Sequence, residues 1–199
     1  MSQSRNPLSG DSLDRLFRNA RTYGEWLPDP VPAEVLRQVY ELTRLGPTSA
    51  NSTPARFVFL TTAESKARLL PALMPSNVEK TRTAPVTTIV AWDSQFYEKM
   101  GKLFPQSKLG EMFAANPALR DETAFRNSSL QGGYFILAAR ALGLDCGPMS
   151  GFDAQKVNAE FFPDGKWKAN FLCNLGYGDP ARLRDRNPRL EFEEACVII

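Results

Sequence analysis

The chain of 199 residues contains no histidine. Without histidine it cannot form a Ser-His-Asp triad, a Cys-His pair or any metal site that uses an imidazole ligand. Its three cysteines, Cys146, Cys173 and Cys196, are an odd number without Cys-x-x-Cys spacing, which predicts reduced and mostly buried thiols. Neither the HExxH zinc motif nor the GxxxxGK[ST] phosphate loop occurs. The residues therefore predict no metal site.

The sequence also lacks a strong charge bias and a long hydrophobic run. Its net charge of +2 is too small to predict binding to nucleic acid or to a membrane surface. No run approaches the roughly 18 apolar residues of a transmembrane helix, and the N-terminus "MSQSRNPLSG" has no signal-peptide core. Hydrophobic residues make up 43% and charged residues 23%, as in soluble globular proteins. We expect one cytoplasmic domain spanning residues 1–199.

Hydrophobic periodicity predicts alternating helices and strands. Strands are expected at 56–60, 85–92, 143–149 and 169–178, and helices around 13–20, 32–45, 63–73, 118–142 and 153–162. Gly132–Gly133 inside the longest helix predicts a close approach of another backbone, either between packed helices or across a dimer axis. The segment 96–116 mixes aromatic and charged residues, which predicts a mobile cover rather than a core. With room for only four or five short strands, the class is α/β or α+β.

The stretch "GYGDPA" at 176–181 matches the GxGxxA pattern of a dinucleotide-binding fold only superficially. Pro180 would lie within the turn, and about twenty residues follow it, too few for a βαβ unit and its distal acidic residue. A Rossmann site is therefore not expected here.

Five segments, in chain order, resemble the flavin-dependent nitroreductase family. They are "ARTYGEW" (20–26), "GPTSANSTPARFVFL" (46–60), "NVEKTRTAPVTTIVAW" (77–92), "GPMSGFD" (147–153) and "RNPRL" (186–190). Three stretches, "TAPVTTIVAWD", "ETAFRNSS" and "GLDCGPMSGFD", are most similar to the branch that contains the malonic semialdehyde reductase of bacterial pyrimidine utilisation, a 3-hydroxypropionate dehydrogenase. The resemblance implies an α+β fold of the nitroreductase type, a three-layer α-β-α sandwich that forms a homodimer.

The same resemblance implies that FMN is bound without a covalent bond at the subunit interface. Pro47, Thr48, Ser49 and Asn51 would form a loop of one subunit that reaches the flavin held mainly by the other. The turn chemistry of Gly, Pro, Ser and Asn offers the plainer explanation of this stretch, a helix-to-strand connection.

The family's phosphate-binding positions fall on basic and hydroxyl residues of this chain. Arg21 and Thr22 match the N-terminal signature, and Arg186 and Arg189 match the C-terminal basic clamp. For any single arginine the alternative is a solvated surface charge. Ala20 departs from the family, which commonly has a basic residue there, so one phosphate contact is either missing or supplied by another residue.

The positions that surround the flavin ring are also matched. Asn77 and Lys80 correspond to the family's Asn-x-x-Lys segment, where the lysine would stabilise the negative charge of the reduced flavin near N1 and O2. Backbone N–H groups of the turn that contains Pro148, Met149, Ser150 and Gly151 would lie near N5 and O4. Ser150 replaces a frequent glutamate, which weakens any side-chain role there. For Lys80 the alternative is solvation on a helix surface.

The implied function is an FMN-dependent NAD(P)H oxidoreductase that works by ping-pong hydride transfer through N5 of the flavin. Its acceptor would be a small carbonyl or nitro compound, with malonic semialdehyde reduced to 3-hydroxypropionate as the first candidate. A broad nitroaromatic or quinone reductase and a flavin-binding module without turnover are the alternatives. Arg126 is a candidate for binding a substrate carboxylate, although an exposed or ion-paired structural arginine is an equal interpretation. Cys146 is expected to be a buried filler rather than a nucleophile.

Overall fold

Four antiparallel strands form the central sheet of the computed structural model, which describes residues 6–199. The strands β1 (Ala55–Leu60), β2 (Val86–Asp93), β3 (Asp145–Met149) and β4 (Trp167–Gly176) lie in the order β1-β2-β4-β3. Every neighbouring pair is antiparallel, which places the fold in the α+β class. All eight residues of β2 are buried, because it lies inside the sheet and is covered on both faces.

Helices connect the strands close to where the sequence predicts them. They are α1 (Gly10–Leu13, continued by a π-helical turn at Asp14–Arg18), α2 (Ala33–Thr43), α3 (Ala63–Leu69), α4 (Pro75–Thr83), α5 (Met100–Leu103), α6 (Leu109–Ala115), α7 (Pro117–Ala141), α8 (Ala154–Phe161) and α9 (Phe192–Ala195). Short 3-10 turns lie at Ser49–Asn51, Leu70–Ala72, Phe96–Lys99 and Pro180–Arg182.

The helices cover both faces of the sheet. On one face α2 and α7 bury a cluster that includes Val39, Phe135 and Leu175. On the other face α3 and α8 bury a second cluster, which includes Leu69 and Val157. Each fully buried side chain of this size contributes about 1.5–3 kcal/mol to folding. The arrangement confirms the expected three-layer α-β-α sandwich.

The segment between β2 and α7 contains a third hydrophobic cluster. Phe96, Met100 and Phe113 are almost fully buried and pack with Trp92 and Ala124. The prediction that residues 96–116 form a cover rather than a core is therefore wrong. Its aromatic residues lie on separate short helical turns, so no single periodic stripe marks the buried face in the sequence.

Gly132 allows α7 to lie directly on the sheet. A Cβ atom built at Gly132 would come within 2.4 Å of the Phe171 ring, whereas a Cβ at Gly133 would meet nothing within 4 Å. The close approach at Gly132 is therefore to an aromatic side chain of β4. Neither the backbone of another helix nor a dimer axis is needed to explain it.

The glycine pair provides a matched test of this packing. Gly132→Ala is expected to lower the free energy of unfolding by about 1–3 kcal/mol, because α7 or Phe171 must shift. Gly133→Ala is expected to raise it by up to about 1 kcal/mol, because alanine favours a helix interior and has space here. Chemical denaturation of both variants measures the difference. Equal effects at the two positions would show that the Phe171 contact does not limit the packing.

Candidate functional site

The segment 20–26 runs along the edge of the sheet beside β3 and the end of β4. Thr22 forms a parallel bridge with Cys146, and Tyr23 N donates to Cys146 O at 3.1 Å. Further along, the Trp26 indole N–H donates to Lys80 O of α4 at 3.2 Å. These bonds place the first signature segment between β3 and α4.

The C-terminal segment folds back onto this signature. Arg186 Nη2 donates to the backbone oxygens of Arg18 and Ala20, at 2.8 Å each. Arg21 Nη2 donates to Arg184 O at 2.5 Å. Residues more than 160 positions apart in the chain are thereby brought side by side.

A cavity of about 340 Å3 opens between these two segments and the end of α7. We call it the arginine cavity; it is lined by Phe17, Ala20, Arg21, Thr22, Arg140, Asp185, Arg186, Asn187 and Arg189. All four of the predicted phosphate-binding residues lie in its wall. The structure therefore brings this predicted set together.

The arginine cavity concentrates positive charge. Among residues 6–199, none of its four arginines has a carboxylate oxygen within 4.0 Å, and all four donate to backbone carbonyls instead. Asp185 is the acidic residue in the wall. Like charges held this close repel one another unless an anion lies between them. A phosphate dianion matches both the charge and the donor set.

A second cavity, of about 480 Å3, continues from the first; we call it the lysine cavity. Both are lined by Arg21, Thr22 and Asn187, and the lysine cavity adds Lys80. The Lys80 side chain passes close to Gly24, where a Cβ atom would lie 3.3 Å from its carbons. Tyr23 also lines this cavity, and burial, followed by the charge of Asp145, raises the pKa of its phenol.

The turn after β3 is attached to the first half of α4. Asn77 Nδ2 donates to Gly151 O at 3.0 Å, and Met74 N donates to the same oxygen at 3.0 Å. Thr81 Oγ1 donates to Met149 Sδ at 3.8 Å, while Ser150 is exposed. Asn77 and the segment 148–151 therefore lie side by side, although none of these residues lines the arginine cavity or the lysine cavity.

A buried lysine holds the other end of α4. Lys66 Nζ donates to the backbone oxygens of Arg82 and Ala84, at 2.9 and 2.5 Å, and so caps the helix C-terminus. Burial, together with the charge of Arg82, lowers the pKa of Lys66. Contacts at both ends of α4 thus hold this helix, and with it Lys80, in place.

The loop that contains Pro47, Thr48, Ser49 and Asn51 lies apart from both cavities. Three non-glycine residues have left-handed backbone angles there: Ala50 at φ 48°, Asn51 at φ 51° and Thr53 at φ 37°. Such conformations cost about 1–3 kcal/mol each, and they persist only where the surroundings impose them. Strain of this kind is often concentrated at ligand sites.

Side chains of α7 and its neighbours hold this strained loop. Asn127 Oδ1 accepts from Ser49 N at 2.8 Å, and one turn later Gln131 Oε1 accepts from Ala55 N at 2.9 Å. Asn51 Nδ2 donates to Leu103 O at 2.9 Å. The loop is therefore fixed in place, with Ser49 and Asn51 exposed at its surface.

Two further predicted residues have simpler surroundings. Arg126 is 72% exposed on α7 and forms an ion pair with Glu122, which agrees with the alternative of an exposed, ion-paired arginine. Cys146 is fully buried, as expected of a filler. Its hydrogen bond to the Cys173 thiol, and then burial, raise the pKa of Cys173.

No helix within residues 6–199 is long and apolar enough to cross a membrane. In the same part of the chain, no three histidine, cysteine, aspartate or glutamate side chains cluster as metal ligands would.

Sequence reasoning missed three residues that the structure places at these sites. Arg140 lines the arginine cavity, and Asn127 and Gln131 support the loop. A signal for Arg140 existed, because it is the lone cation in the apolar run "FILAARALGL". No local pattern distinguishes Asn127 or Gln131 from solvent-facing polar residues of a helix.

Comparisons with known proteins agree on one family. The model described as Nitroreductase family matches residues 18–177. A relative from Ralstonia nicotianae is 58% identical over 192 residues, covering 96% of this chain and 98% of its own. One from Stutzerimonas stutzeri is 55% identical with the same coverage. Both are provisionally named NADH dehydrogenase/NAD(P)H nitroreductase.

Solved structures show the same fold. A provisionally named nitroreductase of Bacillus subtilis, 22% identical, has a TM-score of 0.84 and covers 95% of this chain and 99% of its own. Another, from Exiguobacterium sibiricum, was crystallised with FMN; it is 19% identical, has a TM-score of 0.82, and covers 97% of this chain and 99% of its own. With the family model matching most of its length, this chain belongs to the nitroreductase family.

Proposed function

We propose that this protein is an FMN-dependent NAD(P)H oxidoreductase that reduces a small carbonyl or nitro compound as a homodimer. The observation that carries the proposal is the arginine cavity, where four arginines and Thr22 converge without a carboxylate partner among the described residues. The fold comparison supports it, because a solved structure with the same fold contains FMN.

The residues present fit FMN. Arg21, Thr22, Arg186 and Arg189 would bind the phosphate in the arginine cavity. Lys80 lies in the adjoining lysine cavity, where its charge would face the reduced ring. Asn77 and the backbone of 148–151 would border the ring edge. FMN, when bound, supplies hydride transfer between NAD(P)H and a second substrate.

The chain's own residues bind and orient in this scheme, and none of them is assigned a proton transfer. Without histidine, a carbonyl acceptor would take its proton from water or from a ligand hydroxyl. Cys146 is fully buried and is unsuited to that role.

Malonic semialdehyde is the first acceptor to test, because three segments resemble the reductase branch that uses it. A nitroaromatic or quinone acceptor is the second candidate, and the names of the relatives favour it. Arg126 is proposed to contact a substrate carboxylate. Its support is an exposed position one residue before Asn127, which binds the loop.

Purified protein is expected to be yellow and to release FMN rather than FAD on heat denaturation, since the arginine cavity suits one phosphate group and the sequence predicts no Rossmann site for an adenine nucleotide. Chromatography of the released flavin measures this. A colourless protein that does not bind added FMN would contradict the proposal.

Turnover is tested with NADH or NADPH and each candidate acceptor. Because one site serves both substrates in turn, double-reciprocal plots at several acceptor concentrations should give parallel lines. The product assay is formation of 3-hydroxypropionate from malonic semialdehyde. Intersecting lines would exclude the shared site, and a lack of turnover with every acceptor would leave a flavin-binding module.

The proposed homodimer is supported by surfaces that a single chain leaves uncovered. The strained loop lines neither cavity of its own chain, so the cross-subunit contact implied by the resemblance would bring it to the flavin. Phe125 and Leu130 of α7 are about half exposed, and Val197 and Ile198 of the tail are 79% and 86% exposed. Exposed apolar side chains on α7 and on the tail are candidates for such an interaction surface.

Sedimentation is expected to give twice the chain mass of 22.2 kDa. Phe125→Glu is expected to shift the protein toward the monomer and to weaken FMN binding in parallel, because the loop would no longer reach the cofactor. Arg44→Glu, on an exposed residue at the end of α2, is the control. A monomer that binds FMN as tightly as the dimer would refute the cross-subunit site.

A further inference from the structure

Arg140 is a partly buried arginine at the end of α7. The nitroreductase resemblance assigns no role to this residue. Its Nη1 donates to Leu16 O at 3.0 Å. Its Nε is buried and has no hydrogen-bond partner within residues 6–199. Among the described residues, no carboxylate oxygen lies within 4.0 Å of this partly buried guanidinium, so an anionic partner for its charge is expected.

The position of Arg140 suggests what that partner is. Arg140 lines the arginine cavity together with Arg21, Arg186 and Arg189. Ala20 lies in the same wall, at the position where the family signature commonly has a basic residue. The signature segment thus contributes Arg21 but no cation at position 20, and α7 contributes Arg140 to the same cavity.

We propose that Arg140 binds the FMN phosphate directly and supplies from α7 the cationic contact that Ala20 cannot make. This inference rests on the proposed function and adds a binding residue to it. The planar guanidinium of Arg140, which lines the cavity, suits a phosphate oxygen, which accepts strong charge-assisted hydrogen bonds.

The charges around Arg140 are consistent with this role. Asp185 in the cavity wall would repel a phosphate, and a further arginine offsets that repulsion. On its other side Arg140 faces Asp145, whose pKa is raised by burial and is held down in part by Arg15 and Arg140. Asp145 has no oxygen within 4.0 Å of Arg140, so it does not provide the missing partner.

The competing explanation is purely structural. Arg140 Nη1 bonds to Leu16 O, and Arg15 Nε donates to Arg140 O at 2.8 Å, so this corner joins the α1 segment to α7. The two explanations predict different effects on the binding of a flavin that lacks the phosphate. Loss of a phosphate contact affects FMN alone, whereas a structural defect weakens every flavin.

The test titrates the flavin-free full-length chain with FMN and with riboflavin, which shares the ring and side chain but lacks the phosphate. Arg140→Met is expected to weaken FMN binding by about ten- to a hundredfold and to change riboflavin binding by less than twofold. If that variant fails to fold, Arg140→Gln carries the same expectation. Flavin fluorescence reports both affinities.

Two further variants complete the design. Arg15 also joins the α1 segment to α7, but it does not line the arginine cavity. Arg15→Met should therefore leave the affinities for FMN and riboflavin within twofold of the wild type. Ala20→Arg in the Arg140→Met background should restore most of the FMN affinity, because it returns a cation to the arginine cavity.

Equal losses for FMN and riboflavin would overturn the inference in favour of a structural role. If the wild type binds FMN and the Arg140 variants bind it equally tightly, the role of Arg140 would be refuted and the proposed function would stand. A wild type that binds neither flavin would overturn the proposed function as well.

Discussion

Replacing both Arg21 and Arg189 with alanine is expected to weaken FMN binding by about 10²- to 10⁴-fold. Each arginine lines the cavity to which the phosphate is assigned and has no carboxylate partner within the described residues. A charge-assisted hydrogen bond contributes about 1.5–3 kcal/mol, or roughly ten- to a hundredfold in affinity, and the two losses should add approximately. Titration of the flavin-free variant with FMN measures the change.

The control for this pair is an exposed arginine that lines neither the arginine cavity nor the lysine cavity. Arg44 is paired with Glu41 at 3.2 Å on the protein surface, and Arg44→Ala should leave FMN affinity unchanged. Riboflavin binding by the double variant should also be nearly unchanged, since riboflavin has no phosphate. If the double variant bound FMN as tightly as the wild type, the phosphate would have to lie elsewhere.

Replacing Arg56 with methionine is expected to lower the free energy of unfolding by about 2–4 kcal/mol. Arg56 Nη2 lies 2.6 Å from Asp93 Oδ2, and the two side chains are only 22% and 10% exposed. Removing one partner of a buried pair leaves the other charge without compensation. Arg56 Nη1 also donates to Thr53 O at 3.1 Å, so the variant should loosen the end of the strained loop. Chemical denaturation and amide hydrogen exchange measure the two effects.

Arg68 provides a matched comparison for Arg56. It forms an ion pair with Glu160 at the same distance of 2.6 Å, but the two side chains are 53% and 45% exposed. Water screens such a pair, so Arg68→Met should cost less than about 1 kcal/mol. The double variant Arg56→Met with Asp93→Asn should regain part of the loss, because no buried charge remains. Equal costs at Arg56 and Arg68 would show that burial does not control the strength of this pair.

Local pattern predicts much of this fold. The helix α3, the strand β2 and the long helix α7 all lie close to the ranges that the sequence predicts. These features depend on neighbouring residues, through backbone propensity, capping and periodicity. The segment 96–116 is the exception, because its buried aromatics meet only after three short turns fold against Trp92.

The candidate site shows the same difference between what local sequence determines and what depends on tertiary packing. The sequence, through its motifs, determined the residue types of the proposed phosphate-binding set and of the loop at 47–51. Only the tertiary structure decided that Arg21, Arg186 and Arg189 share one cavity, and that Arg140 of a distant helix joins them. It also decided that Asn127 and Gln131 hold a loop whose backbone is strained. Contacts between residues so far apart in the chain leave no periodic or spacing signal, since they depend on how the helices pack on the sheet.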